Sequence, residues 1–172
     1  FGEYFKIPEV LEREAIRVPG LSASGKMGKS EGDKATLYLS DTYDQQWNKV
    51  KVAPTDPARV RLKDPGDPQK CNIGGIHRIL DQIGLHEEGT LAWVNEGCTQ
   101  AKMGCFPCKK KLLDVMETSF LEEIRDRREA FAAKGNGLID EIIVAGNERA
   151  RARIKPIVEG AMDRVGLITR WS

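Results

Sequence analysis

Apolar residues fall into several helical stripes along the second half of the chain. Ile73, Ile76, Ile79, Leu80 and Ile83 recur at helical spacing and stop at Gly84, which predicts a helix with glycine at its C′ position. Leu91 to Val94 continues the pattern weakly. Leu112, Leu113, Met116, Phe120, Leu121, Ile124 and Phe131 then predict a long amphipathic helix that ends before Gly135-Asn136-Gly137. A last helix starts near Leu138, with Ile142, Ile143, Ala150, Ile154, Ile157, Ala161 and Val165 on its apolar face and a kink expected at Pro156. The front of the chain is less regular. Phe1, Tyr4, Phe5, Val10, Leu11 and Ile16, interrupted by Pro8, predict two short helical pieces. Ala35 to Leu39 reads as a short extended segment. Ser40-Asp41-Thr42 offers an N-cap for a helix carrying Trp47 and Val50. Pro54, Pro57, Pro65 and Pro68 confine the stretch 54–70 to turns.

The expected fold is therefore mainly α: a helical module over 38–172 whose stripes bury against one another, preceded by residues 1–37, which close no domain by themselves. Trp47, Trp93, Phe120 and Phe131 sit at apolar helical positions and are expected in the core. The 172 residues suffice for one sizeable core. No apolar run approaches the roughly 20 residues of a membrane span, and no secretory signal is present, so a cytoplasmic location is expected. The chain starts at Phe1 rather than Met, which is the expectation for a fragment.

Lys and Arg number 27 against 26 Asp and Glu, yet the charge is patchy. The segment from Lys51 to Lys63 holds four basic residues and one acid, and that from Lys102 to Lys111 holds four and none. Such patches suit a phosphate backbone as well as a solvated face. The most specific chemistry lies earlier. Lys26-Met27-Gly28-Lys29-Ser30 sits in a stretch rich in glycine and serine and places two ammonium groups three residues apart, able to converge on one polyanion. Charge that builds on a departing pyrophosphate would be stabilised by such a mobile pair more than the ground state is. The eight-residue spacing of a Walker loop is missing.

Pro19-Gly20-Leu21 followed by Gly25-Lys26-Met27-Gly28-Lys29-Ser30 resembles the signature loop of class I aminoacyl-tRNA synthetases, Lys-Met-Ser-Lys-Ser. Thr55-Asp56-Pro57-Ala58-Arg59-Val60-Arg61, Asp64-Pro65-Gly66-Asp67-Pro68 and Cys71-Asn72 resemble the stretch beyond that loop in the bacterial tryptophanyl-tRNA synthetases, and the resemblance runs to about Gly166. It implies that residues 1–37 are the C-terminal edge of a Rossmann-like catalytic domain and that the helical module reads the anticodon of tRNA(Trp). It also implies that Lys26 and Lys29 are the catalytic pair on the ATP phosphates, with Met27, Gly28 and Ser30 in the same nucleotide site and Val18 near the adenine. Gly28 stands where the family has serine, which removes one donor and adds backbone freedom. The whole family enzyme uses tryptophan, ATP with magnesium, and tRNA, and is a homodimer. The histidine signature of the fold has no counterpart here, since His77 and His86 are too far apart and read as surface or capping residues. This piece alone is expected to be inactive.

Cys71, Cys98, Cys105 and Cys108 form C-x26-C-x6-C-x2-C and use every cysteine of the chain. Four is the number that a tetrahedral metal or a cubane cluster requires, and in a reducing compartment a metal is favoured over disulfides. Zinc, a cluster and unligated thiols all remain open on ligand count. The C-x6-C-x2-C portion is similar to the cluster loop of helix-hairpin-helix DNA glycosylases, and a subset of bacterial tryptophanyl-tRNA synthetases carries a closely similar spacing with a [4Fe-4S] cluster. That resemblance implies iron and sulfur, with zinc as the alternative.

Lys109, Lys110 and Lys111 follow the last cysteine and make an awkward helix start, since cations there oppose the helix dipole. An external anion would relieve the conflict, so these three with Arg59 and Arg61 are the candidate tRNA contacts. Phe106, inside the cysteine loop, is the one aromatic residue with a conceivable stacking role. Competing readings are a tyrosyl-tRNA synthetase fragment, a non-catalytic metal-cluster module that binds nucleic acid, and a helical interaction module without RNA.

Overall fold

The computed structural model describes residues 3–11, 16–22 and 25–167, with only the backbone of Asn136. Phe1, named above, lies outside the described residues. Among the described residues six α-helices follow one another: α1 (Tyr43–Val52), α2 (Asn72–Gln82), α3 (Thr90–Thr99), α4 (Cys105–Met116), α5 (Glu122–Ala133) and α6 (Gly135–Arg164). Among the described residues there is no strand; Pro19 and Lys26 form an isolated antiparallel bridge. No described helix is long and apolar enough to cross a membrane.

Local signals place several of these elements. Thr42 caps α1 through a reciprocal pair: its hydroxyl accepts the Gln45 amide, and the Gln45 side chain accepts the Thr42 amide at 2.8 Å. At the end of α2, Gly84 takes φ +76°, the Leu85 amide donates to Leu80, and the Gly84 amide donates to Asp81. That is a Schellman stop, and it needs glycine because its backbone is left-handed. Other expectations are corrected. Residues 3–11 contain no helix, since Pro8 lacks an amide donor and Val10 and Leu11 beyond it are exposed, and residues 12–15 of the second expected piece lie outside the described residues. The residues from 36 to 38 form no strand and follow two 3-10 turns, Lys29–Glu31 and Asp33–Ala35. The long helix begins at Cys105, ahead of its apolar stripe, and passes through a π-helical turn at Glu117–Leu121, where Thr118 Oγ1 donates to the Asp114 carbonyl and Arg125 pairs with Glu117.

The chain divides into two compact units, Ala15–Arg127 and Phe1–Glu14 with Arg128–Ser172. The lysine loop thus belongs to the unit of the first helices. In that unit α1 packs on α4, and α2 on α3 and α4. The core gathers Leu21, Val50, Ile73, Ile76, Leu80, Leu112, Leu113 and Leu121. Trp47 and Phe120 pack against it, whereas Trp93 is 46% exposed and lies outside the core. In the other unit, the Tyr4 hydroxyl donates to the Ile157 carbonyl at 2.8 Å and the Arg164 guanidinium lies over the Tyr4 ring. The expected burial of the last stripe is not found: Ile142, Ile143, Ile154, Ile157, Val165 and also Phe131 are about half exposed. Helical spacing puts these residues on one face but does not supply an element to cover it.

Candidate functional site

Two groups of residues in the unit Ala15–Arg127 carry chemistry. The first is the lysine loop. Its two arms are pinched by a bond from the Met27 amide to the Val18 carbonyl at 2.9 Å. Leu21 is buried in the core and its amide donates to Ala35 at 2.9 Å. Met27 and Val18 also pack against the core, while Lys26, Lys29 and Ser30 are exposed. An inward methionine between two outward lysines directs both ammonium groups to solvent. Gly20 sits close at the pinch, where a Cβ would lie 3.1 Å from the Lys26 carbonyl oxygen. Gly28 is different: its φ of −173° is ordinary extended backbone and no atom lies within 4 Å of its missing Cβ. The Gly28 carbonyl accepts from the Thr36 hydroxyl at 2.8 Å and from the Glu31 amide at 3.0 Å.

The second group is the cysteines. Cys71 precedes α2, Cys98 is on the last turn of α3, and Cys105 and Cys108 lie on the first turn of α4. All four thiols are free, half-buried, and line one small cavity with Asp56, Arg59, Ile73, Met103 and Gly104. The fold of α2 and α3 brings Cys71 to the other three, 27 or more residues away in sequence. Among the described residues, no three His, Cys, Asp or Glu side chains are grouped to hold a single metal ion. Burial, then the neighbouring cysteines, push the Cys108 thiol up to about 12, and burial raises Cys98 as well. Gly66 lies over Cys98: its amide donates to the Cys98 carbonyl at 3.0 Å, and a Cβ on it would come within 2.7 Å of the sulfur.

The five candidate RNA contacts separate. Arg59 reaches inward, donating to the Met103 carbonyl at 2.7 Å and the Leu62 carbonyl at 2.9 Å, with Nη1 3.9 Å from Cys98 Sγ. Lys109 is buried and donates to the carbonyls of Lys51 at 2.9 Å and Ala53 at 2.5 Å. The Lys109 ammonium thus meets the neutral, partially negative carbonyl end of α1. Burial pulls its ammonium below the ordinary lysine value, and the nearby cysteines act the other way. Lys111 faces Glu87 at 3.7 Å. Lys110 pairs with Asp114 and lies 5.2 Å from the Tyr43 ring centre, but remains outward, and Arg61 is exposed. Phe106 packs edge-on to Trp47, ring centres 4.9 Å apart, and is 62% exposed.

The histidines are not surface residues. His77 is fully buried, with Nε2 3.1 Å from the Cys108 carbonyl and Nδ1 3.1 Å from His86 Nε2. Burial lowers its pKa to about 4. His77 occupies an interior position of α2 because two hydrogen-bond partners satisfy it there, and neither was visible from its place in the chain. Asn72 and Lys49 were also missed. Asn72 binds two carbonyls of the loop from the start of α2, and Lys49 of α1 binds Asp33, Thr36 and Asp41 in the segment that follows the loop.

No protein-family profile matches the chain. Individual proteins do. It is 37% identical over 98% of its length to the tryptophan–tRNA ligase of Deinococcus radiodurans, of which it covers 48%. The corresponding enzyme of Thermotoga maritima is 34% identical over 88% of this chain and 43% of its own length. The chain therefore spans about half the length of the curated relatives it matches. These relatives are tryptophan enzymes, not the tyrosine enzymes weighed as an alternative. Among solved structures, the tryptophanyl-tRNA synthetase of Campylobacter jejuni superposes with a TM-score of 0.72 over 96% of this chain and 48% of that one, at 23% identity. A second structure of that enzyme, with ADP and tryptophan, gives the same score at 20% identity over 91% of this chain and 45% of that one. Likeness at such identity speaks for the fold, and the sequence matches speak for descent. Over nearly all its length, the chain is similar to the C-terminal region of bacterial tryptophanyl-tRNA synthetases.

Proposed function

We propose that the chain works as part of a tryptophan–tRNA ligase, contributing the loop that grips the ATP phosphates and a helical module that meets tRNA(Trp). The observation that carries this reading is the loop from Val18 to Ser30, which folds with Met27 inward and Lys26 and Lys29 exposed on either side of it. In the activation step a tryptophan carboxylate oxygen attacks the α-phosphorus of ATP. The bond to the bridging oxygen of pyrophosphate breaks, and pyrophosphate leaves with that electron pair. Lys26 and Lys29 would stabilise the charge that grows on the leaving group, with Ser30 as a further donor and Val18 beside the adenine. Magnesium would accompany the nucleotide, the adenylate would acylate the terminal ribose of tRNA, and the whole enzyme would be a homodimer. In the whole protein, tryptophan-dependent exchange of labelled pyrophosphate into ATP is expected, and Lys26→Ala with Lys29→Ala should remove it. Full exchange in the double variant would overturn the reading.

The cysteines are assigned a [4Fe-4S] cluster. Four soft donors line one cavity, and a bound metal would hold as thiolates groups that burial otherwise keeps protonated. When bound, the cluster would cross-link three backbone segments: the start of α2, the end of α3 and the first turn of α4. This chain's own residues prepare the place: Gly66 leaves room beside Cys98, and the Arg59 guanidinium sets a positive charge there. Protein purified without oxygen should be brown, absorbing broadly near about 400 nm, with about four irons per chain. Colourless protein with one zinc would overturn the cluster.

For RNA, Arg61 and Lys110 are the outward cations of the candidate set. An anticodon stem-loop for tryptophan should outcompete other stem-loops at fixed salt, since phosphate contacts alone give no preference.

A further inference from the structure

We propose that Asn72 and Lys49 are positioning residues, Asn72 holding the leading arm of the lysine loop and Lys49 the segment 33–41 that follows it, and that together they set where Lys26 and Lys29 reach. The inference rests on the reading of that loop as a phosphate grip.

At the leading end, Asn72 is the first residue of α2, and its Nδ2 donates to the Gly20 carbonyl at 2.8 Å and the Ser22 carbonyl at 2.6 Å. One amide group has two hydrogens, and both are used on the loop. At the trailing end, Lys49 comes from α1. Its Nζ lies 2.8 Å from Asp33 Oδ1, 2.8 Å from Asp41 Oδ2 and 3.2 Å from the Thr36 carbonyl oxygen. An ammonium has three hydrogens, so this set is saturated as well. The Tyr38 ring centre, 4.7 Å away, adds an aromatic face.

The strength of the trailing contact is not evenly divided. Asp33 is 72% exposed, and a pair of that kind is worth little by itself. Asp41 is 13% exposed, the Lys49 side chain is 11% exposed, and Thr36 is buried, so these two partners dominate. Burial works against the Lys49 charge, but the two carboxylates outweigh it and hold the group above its ordinary pKa.

The anchored segment leads directly to the lysines. Asp33 begins the 3-10 turn that follows Lys29–Glu31, the Thr36 hydroxyl holds the Gly28 carbonyl, and the Ala35 carbonyl holds Leu21 in the other arm. A shift at Lys49 or Asn72 therefore moves the base on which both ammonium groups stand. Neither residue touches the phosphates in this scheme. They restrict the loop so that less freedom is lost when it closes, which acts on the rate of the activation step.

The test uses the whole synthetase that carries this chain, with Lys49→Met, Lys49→Arg and Asn72→Ala. The readouts are the kcat and KM of pyrophosphate exchange and hydrogen exchange at the Leu21, Met27 and Glu31 amides. Lys49→Met and Asn72→Ala are each expected to lower kcat by about tenfold or more, with faster exchange of those amides and unchanged exchange in α2 to α4. Lys49→Arg, which keeps a charge with several donors, should recover most of the rate. Wild-type kcat in both disruptive variants overturns the proposal. So does a loss without faster loop exchange, or a loss that Lys49→Arg shares in full. If the unaltered enzyme shows no tryptophan-dependent exchange, the functional reading fails instead, and the amide comparison alone then decides whether these residues fasten the loop.

Discussion

The ammonium of Lys109 lies 2.5 Å from the carbonyl oxygen of Ala53, 56 residues away in sequence, and 2.9 Å from that of Lys51. It joins the first turn of α4 to the last turn of α1. The two carbonyls at the end of a helix have no partner within it, and the charged donor meets both needs.

Lys109→Met should therefore destabilise the protein by about 1–3 kcal/mol, because it leaves buried acceptors unpaired. Denaturant unfolding of the two proteins measures this. The folded variant should bind an anticodon stem-loop as the parent protein does, in contrast to Lys110→Ala, which removes an outward charge.

Gly66 lies over the cysteine cavity with a Cβ position 2.7 Å from Cys98 Sγ and 3.0 Å from Arg59 Cδ. Gly66→Ala should force the two apart at a cost of about 1–3 kcal/mol. Under the cluster assignment, it should also lower the iron content per chain, read by metal analysis of protein prepared without oxygen.

The open space at Gly28 predicts the opposite sign. Gly28→Ser meets no atom, and its extended backbone suits any residue. Stability should hold or rise by about 0.4–1 kcal/mol through a stiffer unfolded chain. The added hydroxyl should lower the KM for ATP in the whole enzyme.

Asp56 orders the proline-rich connector. It accepts the Ala58 amide at 3.0 Å and the Asp67 amide at 2.7 Å. Those two bonds hold its carboxyl below the usual carboxylate value. The unfolded chain then takes up the proton more readily, so the contribution of Asp56 is present above its unfolded pKa and lost as pH falls through the lower folded one. Asp56→Asn should separate from the parent protein in unfolding midpoint at pH 7, and the gap should shrink by pH 3.

Much of the helical order was determined by the sequence alone, because its signals are local. Thr42 with Gln45 starts α1, the Ile73 stripe and Gly84 bound α2, and the proline positions keep 54–70 out of regular structure. The lysine pair and the four cysteines could be singled out as well, since residue type and spacing carry that chemistry. Tertiary structure alone decided which polar side chains go inside. Lys109, His77 and Arg59 look like surface residues in the sequence, and each is drawn inward by acceptors supplied from a distant segment. The reverse holds for the α6 stripe, where periodicity marks an apolar face that the described residues leave half exposed. Burial is a property of pairs of elements, and the free energy of hiding a charge depends on partners that no local pattern names.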